Sequence, residues 1–208
     1  MKPHQKFFNR LAQNWDSLIG EDTRARLRGI LARLGLKPGS RVLDVGSGTG
    51  ILSSLLQQVL GKEGEIVALD FAEEMLRRAR NKGLQGSICQ IQADVHALPL
   101  KDGSFDFVIC HASFPHFADK PRALAEIARV LRVGGRVAIS HTDSRERINE
   151  LHKNIGEPVE RDFIPEEEEM KKLMLGAGLE GILIENNPNY YLAMASKGDS
   201  LSKLAAEE

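Results

Sequence analysis

Arg41-Val42-Leu43-Asp44-Val45-Gly46-Ser47-Gly48-Thr49-Gly50 joins a short apolar run to three alternating glycines. Val42, Leu43 and Val45 make an apolar run interrupted only by Asp44, as a short buried strand requires. Gly46, Gly48 and Gly50 follow at alternate positions and permit a tight turn with close approach of a ligand to the backbone. Beyond them Ile51, Leu52, Leu55, Leu56, Val59 and Leu60 recur at helical spacing, the stripe of a helix packed on a sheet. Strand, glycine turn and helix open a nucleotide-binding βαβ unit, with backbone N–H groups and a helix N-terminus facing the ligand.

The two common phosphate cradles do not fit this turn. The dinucleotide fingerprint is G-x-G-x-x-G, and here Ile51 stands where the last glycine belongs. A P-loop carries a Lys after its final glycine, and Gly50 is followed by Ile51. Asp44, inside the strand, suits a cationic group better than a pyrophosphate.

The string resembles motif I of the class I S-adenosylmethionine-dependent methyltransferases, hydrophobic-L-D-x-G-x-G-x-G. Leu98-Pro99-Leu100-Lys101-Asp102-Gly103-Ser104-Phe105-Asp106-Phe107-Val108 is similar to the family's L-P-F-x-D-x-S-F-D-x-V. Phe7, Phe8, Leu11, Ala12, Trp15 and Asp16 form F-F-x-x-L-A-x-x-W-D. That string resembles the F-D-x-x-A-x-x-Y-D preceding motif I in the ubiquinone/menaquinone-type group, with Trp15 where that group has Tyr. Arg132-Val133-Gly134-Gly135-Arg136 matches the family's L-x-P-G-G turn, with Val133 replacing Pro. The resemblance implies an α/β, three-layer Rossmann-like fold. Its sheet is seven-stranded and mostly parallel, with an antiparallel edge hairpin. The implied cofactor is S-adenosylmethionine.

Length and charge agree. The 208 residues suffice for one α/β domain with a sizeable core. A net charge of −1 lacks the basic footprint of a nucleic-acid binder. Cys89 and Cys110 fall in predicted strands and read as reduced, buried thiols, too few for a disulfide framework. The basic N-terminus has no apolar leader, and no stretch reaches transmembrane length. A soluble cytoplasmic protein with no membrane span is expected. Its organisation reads as an N-terminal helical cap over 1–36 and a cofactor-binding domain over 37–198. Residues 142–165 form a lid segment, and 199–208 a tail.

In chain order, residues 1–20 read as one amphipathic helix and 21–36 as a second. Strands are expected at 42–45, 65–70 and 87–92, after the Asp102-Gly103 turn up to Ile109, and at 137–141, 182–185 and 190–195. Helices are expected at 51–60, 72–83, 121–131 and 165–177. The last has an acidic first turn, Glu166 to Glu169, suited to the helix dipole. Asn186-Asn187-Pro188-Asn189 is a hairpin turn, not an N-P-P-Y motif, which belongs after the fourth strand.

Asp70 closes the second strand, about 20 residues past the glycine turn, where an acid accepts ribose hydroxyls. Phe71 is placed to stack on adenine. Asp94, with Val95, follows the third strand at the ligand edge, where the resemblance implies an acceptor for the adenine amino group. The resemblance implies that Gly46, Ser47, Gly48, Thr49 and Gly50 give the methionine half its backbone room, with Asp44 expected near its amino group, directly or through water. The helix carrying Trp15 either caps the cofactor, as the resemblance implies, or packs on the domain edge, and Met75 is a contact or a core residue.

Methyl transfer from a sulfonium needs alignment and, where the acceptor is protic, a base. His111, His141 and Tyr190 are the catalytic candidates, with His111 also beside the cofactor. His116 matches a His common in this group's loop and reads as structural. His111, His116, His141 and His152 match no zinc template, so no metal is expected. The function that follows is methyl transfer to a small-molecule acceptor. A nucleic-acid methyltransferase and a non-catalytic S-adenosylmethionine-binding protein are the alternatives. N, O, C and S remain open as the methylated atom, as does the oligomeric state.

Overall fold

The computed structural model describes residues 2–83 and 88–199. It opens with α1 (Pro3–Leu11), whose proline sits in the first turn, where a missing N–H is no loss. α2 (Trp15–Leu18) follows after a break, so the single helix expected over 1–20 is two. Asn14 leaves helical geometry at φ −109° and ψ 4°. The next turn is held from elsewhere: Thr49 Oγ1 donates to Asp16, and Lys82 Nζ pairs with it at 2.6 Å. α3 (Glu21–Arg33) buries Leu27, Ile30 and Leu31.

The sheet has seven strands. β1 (Arg41–Val45), β2 (Glu65–Asp70), β3 (Ile88–Gln92), β4 (Phe105–His111) and β5 (Leu131–His141) are parallel. β7 (Tyr190–Lys197) runs antiparallel between β5 and β6 (Leu179–Asn187). The order β3-β2-β1-β4-β5-β7-β6 reverses direction of growth at β1, which creates a switch point between β1 and β4. The connecting helices are α4 (Ile51–Leu60), α5 (Glu73–Asn81), α6 (Lys120–Val130), α7 (Arg145–Ile155) and α8 (Glu167–Gly176).

Strand alternation splits the apolar residues between two cores. Leu43, Val67, Val108 and Ile139 face α6 and α8, meeting Leu124, Ile127, Met170 and Met174. Val42, Ile66, Ile109 and Ala138 face α3 and α4, meeting Ile30, Leu34, Leu52 and Leu56. Period-2 geometry requires this of strands covered on both faces.

Three details differ from expectation. β5 starts at Leu131 rather than at residue 137. Its pairing with β4 jumps from Phe105↔Leu131 to Phe107↔Arg136, so the expected glycine turn is a bulge, with Gly134 at φ +73°. Cys89 is exposed and only Cys110 is buried, because Cys89 sits on the edge strand β3. The lid expected over 142–165 contains one helix, α7, followed by an irregular cover with a cis Glu157–Pro158 bond. Ser87 and the tail residues 200–208 lie outside the described residues.

Candidate active site

A cleft opens at the C-terminal ends of β1, β2, β3 and β4, over the switch point. It measures about 830 Å³ counted to its open mouth. Its floor is the glycine turn. Gly46 N–H donates to Leu69 O at 2.8 Å with φ +74°, and a Cβ there would lie 2.4 Å from Ser113 Cβ. Only glycine fits, on both conformation and space. Gly48 N–H donates to Asp70 Oδ2, and Ala72 N–H to Asp70 Oδ1, each at 2.8 Å. Asp70 is therefore fixed before any ligand arrives. Burial raises its carboxyl to about 6, against the pull of these backbone donors.

Asp94 stands at the far wall. Its Oδ1 accepts from His96 N–H at 3.0 Å, and Lys2 Nζ meets its Oδ2 at 2.7 Å. Desolvation opposes its charge, yet Lys2 and His96 hold its pKa well below the ordinary carboxylate range. The roof is α1 and the start of α2. Phe8 packs edge-on to Trp15 and Phe71, with ring centroids 6.0 Å apart in both pairs. Gln5 Nε2 donates to Phe71 O at 2.8 Å, and Glu74 N–H donates to Asn9 Oδ1 at 3.0 Å.

Of the residues singled out from sequence, Trp15, Gly46, Gly48, Asp70, Phe71, Met75, Asp94 and Val95 line this cleft. The others lie elsewhere. Asp44 is buried, and its carboxylate accepts from Ser53 Oγ at 2.7 Å, on the α4 side of β1. Burial lifts it to about 7. Thr49 is turned to Asp16, Gly50 precedes α4 in the left-handed region, and Ser47 Oγ is buried without a partner. His111 Nδ1 meets Ser140 Oγ at 3.0 Å, and burial lowers its pKa to about 4. His141 is sealed, with Nε2 unpartnered. Tyr190 Oη donates to Glu185, and Arg33 stacks 5.0 Å from its ring.

A cluster that sequence reasoning did not assemble borders the cleft. His116, in the short turn Phe114–His116 after β4, places Nδ1 2.7 Å from Asp162 Oδ2. His4 Nε2 of α1 lies 2.9 Å from the same oxygen. His152 Nδ1 of α7 donates to Asp162 O at 2.6 Å. His4 and Phe8, one helical turn apart, offered a faint signal of a common face. Asp162, 46 residues beyond His116, offered none. Among the described residues, no group of three or more His, Cys, Asp or Glu side chains is arranged to hold a metal ion.

The donor set can be tested against S-adenosylmethionine. Two carboxylates, Asp70 and Asp94, and the rings of Phe8, Trp15 and Phe71 face the cleft, while its one lining lysine is tied to Asp94. Aromatic faces and carboxylates favour a positive centre, and carboxylate lone pairs favour hydroxyl donors. A sulfonium nucleoside satisfies both, whereas a pyrophosphate would meet carboxylates. The cationic depression of Arg24, Arg28 and Lys82 lies apart, beside the start of α4. The residues present fit the cofactor.

Comparison with known proteins gives the same picture. A family model described as a methyltransferase domain matches residues 43–139. A ubiquinone/menaquinone biosynthesis C-methyltransferase UbiE of Yersinia enterocolitica is 31% identical over 179 residues, covering 73% of this chain and 71% of that one. A solved S-adenosylmethionine-dependent methyltransferase of Aquifex aeolicus is 25% identical at a TM-score of 0.73, covering 89% of this chain and 98% of that one. The fold also matches a methyltransferase of Haloferax volcanii solved with its Trm112 activator, at a TM-score of 0.80 and 20% identity, covering 96% of this chain and 100% of that one.

Proposed function

Since the chain belongs to the class I S-adenosylmethionine-dependent methyltransferases and uses that cofactor, we propose that its methyl acceptor is a small molecule. The observation that carries this reading is the roofed, aromatic cleft. α1 crosses it from Lys2 at Asp94 to Phe8 at Phe71, leaving room for a compact acceptor rather than a polymer strand. The absence of a basic balance, at net charge −1, agrees. The similarity to a quinone-pathway C-methyltransferase points the same way. The free thiols of Cys89 and Cys110 suit a cytoplasmic setting.

The bound cofactor supplies an electrophilic methyl group on a positively charged sulfur. The chain's own residues do the rest. Asp70, held by Gly48 and Ala72, offers its remaining lone pairs to the ribose hydroxyls. Asp94 would accept from the adenine amino group, and Phe71, Met75 and Val95 line the cleft where the adenine would lie. Gly46 and Gly48 keep the floor free of side chains. Trp15 and Phe8 exclude water from above, which strengthens every electrostatic contact below. Asp44, Ser47, Thr49 and Gly50 support the turn from behind rather than lining the cleft.

The test is an acceptor screen by mass spectrometry with S-adenosylmethionine, run on small aromatic, amine and thiol compounds beside RNA and protein controls. Methylation of a small compound supports the reading. Methylation of RNA or protein alone would overturn it.

A further inference from the structure

We propose that His116 is the general base of this enzyme and Asp162 its positioning residue, so that the acceptor is one that sheds a proton on methylation. The inference rests on the small-molecule reading above and deepens it.

The geometry is that of an oriented imidazole. His116 lines the cleft between Ser113 and Phe117, with 12% of its side chain exposed. Its Nδ1 lies 2.7 Å from Asp162 Oδ2, and a carboxylate accepts there, so Nδ1 carries the proton. Nε2 is then the lone-pair nitrogen. Among the described residues it takes no partner, and the sealed, unpartnered polar atoms are others: Ser47 Oγ, His141 Nε2 and Tyr191 Oη. With Nδ1 turned to Asp162, Nε2 is the nitrogen His116 has left for the cleft it lines. The Phe8 ring packs edge-on to the His116 ring, with centroids 4.9 Å apart.

Asp162 is held for this task. His4 shares its Oδ2 from α1, and His152 fixes its backbone carbonyl from α7. The charges facing the dyad are known from every side. His4 comes from α1 and His152, with its ring 4.8 Å away, from α7; Lys120 comes from α6 and His141 from β5. Burial keeps the His116 imidazole neutral to lower pH than usual, and Asp162 opposes this, so it is free to accept a proton at neutrality. His111 fails the same test, because it is not among the residues that line the cleft.

The step balances. A proton on the acceptor's oxygen or nitrogen passes to His116 Nε2. The electron pair it leaves forms the new bond to the methyl carbon. The carbon–sulfur bond breaks with its pair returning to sulfur, which departs as a neutral thioether. The imidazolium, stabilised by the Asp162 carboxylate, returns its proton to solvent.

Nitrogen-detected NMR of histidine-labelled enzyme, with and without S-adenosylhomocysteine, reads the tautomer without any acceptor. The proposal requires neutral His116 with its proton on Nδ1, and a shift away from that tautomer in Asp162→Asn. A proton on Nε2 in the wild type overturns it. With an acceptor found by the screen, His116→Gln and Asp162→Asn should each lower kcat by about 10²–10⁴-fold. The acidic limb of the pH profile should disappear in His116→Gln, S-adenosylhomocysteine affinity should stay within twofold, and imidazole should restore part of the rate. Undiminished kcat in His116→Gln overturns the proposal. Should the wild type methylate no small compound while holding the Nδ1 tautomer, the acceptor reading fails and the dyad stands.

Discussion

Two buried acids on neighbouring strands have opposite duties. Asp70 faces the cleft at the end of β2, and its carboxyl titrates near 6. If the ribose hydroxyls need the ionised form, cofactor affinity rises with pH through that value, and at pH 5 only about a tenth of free Asp70 is ionised. Calorimetry should show binding about tenfold weaker at pH 5 than at pH 7 in the wild type. Asp70→Ala should bind about 1.5–3 kcal/mol more weakly at neutral pH, the scale of hydrogen bonds to a charged group. Asp44 sits behind the turn with its carboxyl raised to about 7, so the native state holds a proton that the unfolded chain has lost above about pH 4. Its contribution to stability is full below that pH and is lost as pH rises through about 7. Between pH 4 and 8 the stability of Asp44→Asn should therefore gain on the wild type by roughly 2–4 kcal/mol, as read by denaturant melts of ligand-free protein. Asp70 and Asp94 were legible in the sequence because an acid just past a parallel strand sits at the ligand edge. The inward turn of Asp44 was not, because one residue of register decides which face of β1 a side chain joins. His116 against His111 was hidden for another reason: the choice depends on Asp162, brought in by the cover after α7.

At the scale of elements, the apolar pattern located part of every strand and most helices, since the central strands β1, β2 and β4 are buried on both faces. Two breaks escaped it. The interruption between α1 and α2 comes from Asp16, drawn to Thr49 and Lys82 across the chain. The β5 bulge comes from Gly134 and Gly135, where a Cβ at Gly135 would lie 3.0 Å from Phe105 O. Tertiary contacts override local pattern at both. The segment over 142–165 is tied at Asn149 to Ile164, with Ile164 N–H donating to Asn149 Oδ1 at 2.8 Å, and at Asp162 to His4 and His116. Hydrogen exchange across it should slow when cofactor and acceptor are both bound. Equal exchange in free and bound protein would argue that the cover does not respond to ligand.

The whole molecule is one sheet with a core on each face, and α3 shares its buried side with α4 rather than standing apart. The expected helical cap over 1–36 thus divides in packing terms: α1 and α2 roof the cleft through Ala12, Ala72 and Met75, while α3 belongs to the main core. Calorimetric unfolding should give a single transition. An early separate transition abolished by deleting residues 2–19 would mean that the roof melts on its own.

Lys2 at Asp94, Gln5 at Phe71, Asn9 at Glu74 and Asp16 at Lys82 are laces drawn across a purse. A spent cofactor in the cleft would lie beneath them and would leave only after the laces slip. Two of the four, Lys2–Asp94 and Asp16–Lys82, are exposed ion pairs, a kind that contributes about 0.2–1 kcal/mol each and weakens in salt. The pace of repeated catalysis is then set by how quickly the purse loosens. Moderate ionic strength should quicken steady-state turnover while leaving the single-turnover rate unchanged, until the purse no longer retains the incoming cofactor. Stopped-flow and steady-state rates measured across a salt series would separate the two.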